Sequence, residues 1–397
     1  MSILSQFVKT KSALLFVALG VACVGSANAV STLNDDFQAV VESGGNLVAI
    51  NFQSDFFTSD DDGITFTPRA KPLGPTPSDA FEGLGALGAT VIAVGNDGLI
   101  LRAPDSGQTW SLATSPVLSG GSLYAVAGRP DGANPNRWIA VGDDGFDGYV
   151  YRSNDDGLIW TNVAMLSGLS LEDIIWTGSR WLATGRENDF NKGVVYSSTD
   201  GAAWSPSSVP VGVSPLLALA ADGGGVVLAV GEAGQILRST DDGLSFVAIA
   251  NQFLGGGDLN AVIVDGSGTF FVGGDEKRII EINGTTATTL VPAAANAAPV
   301  LGFFLIDGEP VAIGGFFSSF TRTIPFAIQF SVGGSLDYVL SVAQTLTGKT
   351  YYVETTTDLT ANDWSIVPNT SVSGTNGPIS FEVAEDELRR FWRIVEF

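Results

Sequence analysis

Val227-Leu-Ala-Val-Gly231 is a short apolar stretch that ends in glycine, and similar stretches recur along the chain. The full set is Leu47-Val-Ala-Ile-Asn51, Val91-Ile-Ala-Val-Gly95, Trp138-Ile-Ala-Val-Gly142, Trp181-Leu-Ala-Thr-Gly185, Val227-Leu-Ala-Val-Gly231, Thr269-Phe-Phe-Val-Gly273 and Pro310-Val-Ala-Ile-Gly314. Their last residues are separated by 44, 47, 43, 46, 42 and 41 positions. Such constant spacing indicates that the chain is built from copies of one structural unit.

A period of about 40–45 residues with several short strands per repeat is typical of β-propeller blades. One blade cannot bury both of its faces, so the copies must pack around a common axis. We expect strand A near the axis, as at Leu123–Ala127, strand B at the repeated stretch, and strand C at segments such as Ile236-Leu-Arg238. The sequence therefore predicts an all-β protein with a seven-bladed β-propeller.

A second motif follows strand C in five repeats, and we call these segments the Asp-turns. They are Ser59-Asp-Asp-Asp-Gly-Ile-Thr-Phe66, Ala103-Pro-Asp-Ser-Gly-Gln-Thr-Trp110, Ser153-Asn-Asp-Asp-Gly-Leu-Ile-Trp160, Ser197-Ser-Thr-Asp-Gly-Ala-Ala-Trp204 and Ser239-Thr-Asp-Asp-Gly-Leu-Ser-Phe246. The fourth departs from the others, because Thr199 stands where they place Asp. The motif resembles the Asp-box, or BNR repeat, of sialidase-type propellers, and the resemblance covers residues 37 to 331.

The Asp-turn residues have a structural explanation. An Asp side chain accepts hydrogen bonds from nearby backbone N–H groups, Gly supplies a positive φ, and the final aromatic residue anchors the turn between blades. Calcium is the alternative, but a calcium loop spaces its ligands over about twelve residues and ends in a bidentate Glu, and no such Glu follows Gly63. We therefore predict no metal and a structural role for Asp61, Gly63, Asp105, Gly107, Trp110, Asp155, Gly157, Trp160, Gly201, Trp204, Asp241 and Gly243.

The charge of the chain restricts its partners. It contains 19 Lys and Arg against 42 Asp and Glu, which gives a net charge of −23. Nucleic-acid affinity comes largely from cations that neutralise phosphates, so this balance argues against a nucleic-acid partner and against an anionic membrane surface. We expect no cofactor, and we expect the protein to be a monomer.

The N-terminus has the pattern of a secretory signal peptide. Lys9 and Lys11 precede an apolar run at residues 13–22, and Ala27-Asn-Ala29 fits a small-x-small cleavage site. We expect cleavage after Ala29 and export to the periplasm or the medium of a bacterium. No later stretch is long and apolar enough to insert in a membrane as a helix. Cys23 is the only cysteine and would leave with the signal, so the mature chain would have no disulfide.

The chain contains no histidine, which excludes Ser-His-Asp and Cys-His catalysis. Glycoside cleavage by two carboxylates is the natural remaining chemistry. Sialidases, which share the Asp-box, hold their substrate with three arginines, the first usually in an Arg-Ile-Pro motif ahead of the first box. No arginine occurs between Val30 and Ser59, and Arg102, Arg152 and Arg238 recur just before Asp-turns as features of the repeat. A hydrolase is the alternative interpretation, and a non-enzymatic role is favoured.

Val230-Gly-Glu-Ala-Gly-Gln-Ile-Leu-Arg-Ser-Thr-Asp-Asp-Gly-Leu-Ser-Phe246 closely follows a known blade repeat. It is similar to that of the photosystem II assembly and stability factor family, whose domain is a seven-bladed propeller. The resemblance implies this fold and a non-catalytic binding role. The photosynthetic members are said to use a basic patch, for which this acidic chain has no obvious counterpart, so their partner is not carried over.

Blades three and four carry longer B–C loops than the other blades. From the end of strand B to the glycine of the Asp-turn, the step is 12 residues in blades one, two and five, but 15 in blade three and 16 in blade four. The extra residues combine aromatic and charged side chains on the face opposite the Asp-turns. Loops on a rigid scaffold often carry function, although tolerated loop drift remains the alternative. The candidate binding residues are Asp144, Phe146, Asp147, Arg186, Asp189, Phe190 and Lys192.

The pattern changes after Gly333, where short alternating segments at Tyr351–Thr355, Trp364–Val367, Ile379–Val383 and Phe391–Val395 predict strands. We predict a signal peptide at 1–29, the propeller at 30–333 and a small C-terminal β-sandwich-like domain at 334–397. That domain resembles C-terminal β modules of large exported bacterial proteins, which would serve attachment, sorting or stability.

The sequence predicts a non-catalytic propeller that binds a protein or glycan partner through the face opposite the Asp-turns. The alternative is a sialidase-like glycoside hydrolase with a carboxylate pair. Two acids near an arginine at the axis would favour the enzyme, whereas a flat or merely aromatic rim would favour binding. The sequence does not name the partner, the final compartment, the source organism or the role of the C-terminal domain.

Overall fold

The structure is a computed structural model. It describes residues 14–18, 21–24, 27–31, 37–61, 63, 65–72, 80–116, 118, 120–132, 136–188, 192–250, 256–291, 299–306, 309–314, 320–324, 326–330, 337–342, 350–356, 365–366, 371–373, 379–384 and 391–396. The chain forms two compact units, one of Leu33–Ser318 and one of Met1–Thr32 with Ser319–Phe397. These divisions lie a few residues from the predicted boundary at 30 and fifteen residues before the one at 333.

Strands are numbered β1 to β37 in chain order, and the first three belong to the smaller unit: β1 Leu14–Ala18, β2 Val21–Val24 and β3 Ala27–Ser31. The larger unit contains six antiparallel sheets of four consecutive strands, which we call blades one to six. They are β4 Phe37–Ser43, β5 Asn46–Asn51, β6 Phe56–Ser59 and β7 Thr67–Arg69; β8 Phe81–Leu87, β9 Thr90–Gly95, β10 Ile100–Ala103 and β11 Ser111–Leu112; β12 Ser122–Arg129, β13 Arg137–Asp143, β14 Asp147–Ser153 and β15 Thr161–Ser167; β16 Leu169–Trp176, β17 Trp181–Glu187, β18 Lys192–Ser198 and β19 Ser205–Pro206; β20 Leu216–Ala221, β21 Val227–Gly231, β22 Ile236–Ser239 and β23 Val247–Ala248; β24 Leu259–Val264, β25 Phe270–Gly274, β26 Ile279–Asn283 and β27 Thr286–Val291. Single 3-10 turns at Glu232–Gly234 and Asp275–Lys277 follow strand B in blades five and six.

The prediction of seven blades is corrected to six in the part of the chain that the structure describes. In the larger unit, the seventh repeat contributes a hairpin of β28 Val300–Ile306 and β29 Glu309–Gly314. Strand β28 lies beside the inner strands β24 and β4, so the hairpin closes the ring. Blade six, which has no Asp-turn, makes its outer hairpin with a two-residue turn at Gly284-Thr285 directly after Asn283, and Gly284 has φ +62°. The seventh repeat has neither an Asp-turn nor an Asn-Gly pair between Gly315 and Phe330.

The smaller unit is also built from strands. They are β30 Phe320–Ile324, β31 Phe326–Phe330, β32 Asp337–Val342, β33 Thr350–Thr356, β34 Ser365–Ile366, β35 Val372–Ser373, β36 Ile379–Ala384 and β37 Phe391–Glu396. Strand β1 pairs with β2, and β3 pairs with β30. One sheet has the order β31-β32-β36, and in another β33 pairs with β34, β35 and β37. Strands thus occur at all four predicted C-terminal segments, while the sandwich arrangement stays a prediction.

Every inner strand of the ring carries a β-bulge near its start, at the third residue of β12, the fourth of β16 and the second residue of the other five. In blade three, Leu123 pairs with Gly142 and Ala125 pairs with Val141, so Tyr124 is the extra residue. The same shift occurs in β4, β8, β16, β20, β24 and β28. A bulge leaves one residue outside the ladder and redirects its side chain.

The bulge explains the glycine that ends the repeated strand. A Cβ atom at Gly142 would lie 1.9 Å from the backbone oxygen of Ser122, which is far inside van der Waals contact. Gly95, Gly185, Gly231 and Gly314 meet the same obstruction at 1.9 to 2.0 Å. In blade six the equivalent residue is Gly274, because it pairs with the first inner-strand residue Leu259. The repeated strand of blade six therefore ends one residue later than the comparison of the repeats in the sequence predicted, at Gly274 and not at Gly273.

Neighbouring blades are joined where the Asp-turn of one blade meets strand B of the blade before it. A Cβ atom at Gly107, Gly157, Gly201 or Gly243 would lie 2.3 to 2.7 Å from a side-chain carbon of Val48, Ile92, Ile139 or Leu182, respectively. Each partner is the second residue of the repeated strand. The four glycines also have φ between +77° and +86°, so both backbone conformation and space require glycine.

We predict that Gly243→Ala destabilises the protein more than Gly45→Ala does. Gly243 (φ +81°) would place its Cβ 2.3 Å from Leu182, whereas Gly45 (φ +83°) has open space around it. Both variants carry the backbone cost of a left-handed alanine, roughly 1–2 kcal/mol. Overpacking adds about 1–3 kcal/mol at Gly243 alone. Denaturant unfolding of both variants measures the difference, and equal losses would show that the contact between blades is not tight.

Candidate functional site

The bulged residues lie at one end of the ring, which we call the mouth. The inner strands begin there, the B–C loops leave strand B there, and the Asp-turns lie at the opposite end. Each bulged residue is partly buried. Around the ring they are Gln38, Glu82, Tyr124, Glu172, Leu217, Asn260 and Leu301. The mouth is therefore predominantly polar.

Arg186, a predicted site residue at the end of strand B in blade four, lies between two glutamates. One terminal nitrogen is 3.4 Å from Oε1 of Glu172, and the other is 3.6 Å from Oε1 of Glu232 in the next blade. Glu172 and Glu232 were not among the predicted residues. Glu172 lies at the site because it is the bulged residue of β16, and Glu232 because it begins the short B–C loop of blade five. The sequence pattern showed neither feature.

Two further acids lie at the mouth with this pair. Asp143 is buried at the end of β13, and its Oδ2 accepts a hydrogen bond of 2.5 Å from Ser170 Oγ. The same hydroxyl lies 2.8 Å from Glu172 Oε1, and its single proton can be donated to only one of the two carboxylates at a time. Glu82 accepts a 2.8 Å hydrogen bond from Gln38 Nε2. We call Glu82, Asp143, Glu172 and Glu232 the carboxylate cluster.

Ionisation at the mouth reflects burial and this concentration of acids. Burial first, and then the charges of Asp143, Glu172 and Glu82, raise the pKa of Tyr124 to about 12, although Arg186 acts in the other direction. Burial also raises the pKa of Glu172, and the hydrogen bond from Ser170 and the charge of Arg186 oppose this only in part. Tyr124 therefore stays protonated and can donate a hydrogen bond.

The predicted loop of blade three is a fixed turn that holds Phe146 in solvent. Asp144 Oδ1 accepts hydrogen bonds from the backbone N–H groups of Phe146 (3.0 Å) and Asp147 (2.9 Å), and its Oδ2 accepts one from Tyr149 Oη (3.1 Å). These bonds, led by the one from Asp147, lower the pKa of Asp144. Asp147 Oδ1 accepts from Gly168 N at 2.9 Å. The Phe146 residue is 78% exposed.

The loop of blade four contacts the loop of blade three. Asn188 Nδ2 donates a 2.9 Å hydrogen bond to the backbone oxygen of Phe146. Lys192, at the start of β18, is 2.7 Å from Glu187 in the same blade and forms an ion pair with it. Asp189 and Phe190, which were also predicted, lie outside the described residues.

The insertions lengthen the strands on this side of the ring. The outer strand β15 has seven residues and β27 of blade six has six, whereas β7 has three and β11, β19 and β23 have two. Strands β16 and β17 pair as far as Leu169 and Glu187, two residues past the pair of Leu171 with Gly185 that corresponds to the end of the other blades. Blades three and four thus form the tallest wall of the mouth among the described residues.

At the opposite end, the Asp-turns hold their shape by hydrogen bonds from backbone and hydroxyl groups. In blade five, Ser239 Oγ donates to Asp241 Oδ1 (2.7 Å) and accepts from Gly243 N (2.9 Å), and Asp241 Oδ1 accepts from Ser245 N (2.9 Å). Burial would raise the pKa of Asp241, but these bonds outweigh it and bring the pKa to about 2. Asp61 and Asp155 bond in the same way, and Asp105 accepts from Thr109.

The Asp-turn of blade four is one residue shorter than the sequence comparison predicted, which began this turn at Ser197. Ser198 pairs with Trp181 as Ser153 pairs with Trp138, so Ser198, not Ser197, begins the turn. Asp200 therefore takes the place of Asp155, and its Oδ1 accepts from Ala202 N (2.8 Å) and Ala203 N (2.9 Å). The apparent replacement of Asp by Thr199 is a deletion of one residue.

The deleted position has a role in the other turns. In blade three it is Asp156, which has φ +61° and accepts hydrogen bonds from Trp138 Nε1 (3.3 Å) and from Arg102 of blade two (2.6 Å). Arg102 Nε also donates to the backbone oxygen of Asp156 at 2.6 Å. The recurring arginine thus joins consecutive blades. In blade four, the buried Trp181 Nε1 has no hydrogen-bond partner among the described residues.

Asp173 places a carboxylate in the inner strand of blade four, at a position where the other inner strands have Ala or Gly. The residue that follows the bulge is Ala or Gly in the other inner strands. It pairs with Val or Ile in all of them except blade six, where Ala261 pairs with Gly273, whereas Asp173 pairs with Thr184. Its Oδ2 accepts a 2.7 Å hydrogen bond from Leu219 N in blade five, and Oδ1 accepts from Ile174 N at 2.8 Å. Burial raises the pKa of Asp173 to about 7, although these two bonds oppose the shift.

We predict that Asp173→Asn changes the pH dependence of stability. Because the pKa of Asp173 is raised from 3.8 to about 7 in the folded protein, wild-type stability falls as pH rises between these values and is level above them. The asparagine variant lacks this loss, so its stability relative to wild type should increase by at least about 1 kcal/mol between about pH 5 and pH 8.

Asp241→Asn is the control. The pKa of Asp241 is about 2, so the carboxylate is ionised throughout that range and the variant's loss of stability should be constant. Urea unfolding at several pH values measures both variants. An Asp173→Asn difference that is independent of pH would contradict the raised pKa.

Together these features define an all-β propeller with a polar mouth, flanked by a tall wall of two joined blades. No family model matches the chain, and no curated protein matches it. Among solved structures, it is similar to YCF48 bound to a D1 peptide (TM-score 0.57, 15% identity, covering 77% of this chain and 96% of that one). It is also similar to YCF48 from Cyanidioschyzon merolae (0.57, 14%, 72% and 96%) and to streptogramin B lyase (0.57, 14%, 73% and 94%). At these identities the similarity shows the propeller fold alone.

The described residues lack two further features. They contain no helix with the length and apolar character needed to cross a membrane. They also contain no group of three or more Cys, Asp or Glu side chains placed to hold a metal ion.

Proposed function

We propose that this chain is an exported, non-catalytic β-propeller that binds a protein partner through its mouth and acts as a monomer. The observation that carries the proposal is the contact between the loops of blades three and four. Asn188 fixes the backbone of Phe146, and the turn made by Asp144 presents that side chain to solvent. An exposed aromatic side chain on a preorganised loop suits recognition, because little conformational entropy is lost on binding.

The neighbours support a binding role at the level of the fold. One YCF48 structure holds a D1 peptide, so a propeller of this kind can bind a protein segment. The Asp-turns join neighbouring blades at the opposite end of the ring. This arrangement supports a structural role for that end and a binding role for the mouth. We propose that the predicted signal at residues 1–29 directs export, and that a glycan is the alternative ligand.

The test is affinity capture from the native envelope and medium with the secreted wild-type chain. A variant in which residues 143–148 and 186–192 are replaced by the shorter loop of blade five serves as the comparison. A partner held by the wild type and lost by this variant supports the proposal. The control is Leu158→Ser with Leu244→Ser, two exposed side chains of Asp-turns. Equal capture by all variants would exclude the mouth.

A glycoside hydrolase is the second candidate, because Arg186 lies between Glu172 and Glu232 at the mouth. The raised pKa of Glu172 suits a general acid, and a second carboxylate would act as nucleophile or base. The three-arginine arrangement of sialidases was not found in the sequence, so a neutral sugar is the better substrate.

The hydrolase is tested with a panel of aryl glycosides. If wild type hydrolyses one of them, Glu172→Gln should lower kcat/KM by roughly 100-fold or more, the range for loss of a general acid. Asp222→Asn, at an exposed turn at the other end of blade five, should leave it unchanged. A wild-type rate no higher than that of the Glu172→Gln variant would exclude this candidate.

A further inference from the structure

We propose that Phe146 and the carboxylate cluster form one docking surface, and that its occupant is a cationic protein segment with Lys or Arg beside apolar side chains. This inference rests on the proposed binding function and specifies its partner. It joins two separate observations, an aromatic side chain held in solvent and an excess of carboxylates on the adjoining wall of the mouth.

Phe146 is exposed in a way that its loop maintains. Its N–H is held by Asp144, its carbonyl oxygen by Asn188, and the next residue, Asp147, is held to Gly168. A large apolar side chain that is 78% exposed gains nothing from this position in the free protein. The ring can contact an apolar side chain or the face of a guanidinium group, and both contacts favour binding.

The charges at the mouth select the occupant. Asp144 and Asp147 flank Phe146 in sequence, Lys192 of the adjoining blade is paired with Glu187, and the four acids of the carboxylate cluster lie at the same end of the ring with Arg186 between two of them. Burial is the main cause of the raised pKa of Tyr124, and the charges of three of these acids add to it. Such a surface attracts cations and repels acidic ligands.

Arg186 shows that the cluster accepts a guanidinium group. Its two contacts, at 3.4 and 3.6 Å, are longer than the 2.7–2.9 Å of a strong charge-assisted hydrogen bond, and the side chain is 38% exposed. A partner's arginine could therefore make closer contacts with Glu172 or Glu232. Because Arg186 already neutralises part of the cluster, it should weaken the binding of an external cation.

The probe is a short labelled peptide in which arginine alternates with leucine, with Arg→Glu and Leu→Ser versions as comparisons. Fluorescence anisotropy with the full secreted chain should show binding of the first peptide only. We expect affinity to fall at least about tenfold with Phe146→Ser and with Glu172→Gln, a tenfold change being about 1.4 kcal/mol. High salt should weaken binding, and Arg186→Gln should strengthen it.

Leu158→Ser is the matched control, because Leu158 is 52% exposed in the same blade but lies in an Asp-turn at the opposite end. It should leave affinity unchanged. Equal affinity for wild type and Phe146→Ser, or weaker binding by Arg186→Gln, would overturn the inference. If the native partner is lost on loop shortening while the arginine peptide does not bind, the proposed function stands and this inference fails. If loop shortening has no effect on capture, the proposed function fails.

Discussion

The ring depends on the contact between the glycine of each Asp-turn and the second residue of strand B in the preceding blade. A blade is a sheet with two apolar faces, and it becomes stable only when both are covered. The turn glycines let the backbone of one blade lie directly on Val48, Ile92, Ile139 or Leu182 of the blade before it. The hydrogen bonds of the Asp side chains hold the turn in the shape that makes this approach possible, and Arg102 shows that polar groups can reinforce it.

The repeat could be recognised in the sequence because the blades share the same backbone conformation, which restricts the residues at equivalent positions. Runs of apolar residues predict buried strands, and glycine recurs where the backbone leaves no room for a Cβ atom, although blade one has Asn51 at the end of its repeated strand. Where one residue was added or removed, the alignment slipped. The strand of blade six was placed one residue early at Gly273, and the deletion in the fourth Asp-turn was interpreted as a substitution at Thr199. Pairing partners decide such cases, and they are visible only in the folded chain. Among the described residues of the larger unit, the seventh repeat supplies only the two strands β28 and β29, so a repeated strand motif did not by itself show how many complete blades that unit contains.

The site was predicted in part, by a different kind of signal. Loop length pointed to Asp144, Phe146, Asp147, Arg186 and Lys192, and the structure places all of them in or beside the B–C loops at the mouth, with the blade-three and blade-four loops in contact through Asn188 and Phe146. Glu82, Tyr124 and Glu172 were missed because each stands within a strand, where a period of two would have assigned it to one face of the sheet. The bulge removes it from that pattern. Glu232 was missed because its loop has the ordinary length.

The bulges allow the side chains of the mouth to vary while the fold of the ring is kept. Every inner strand has the bulge whichever side chain occupies it, so the ring does not depend on the identity of that side chain. Glutamine, glutamate, tyrosine, leucine and asparagine all occupy this position in one chain. A repeat protein built this way can acquire a new ligand by changing one codon per blade, while the glycines and Asp-turns that form the ring stay as they are. The bulged positions of the mouth can therefore change one at a time during evolution without loss of the fold.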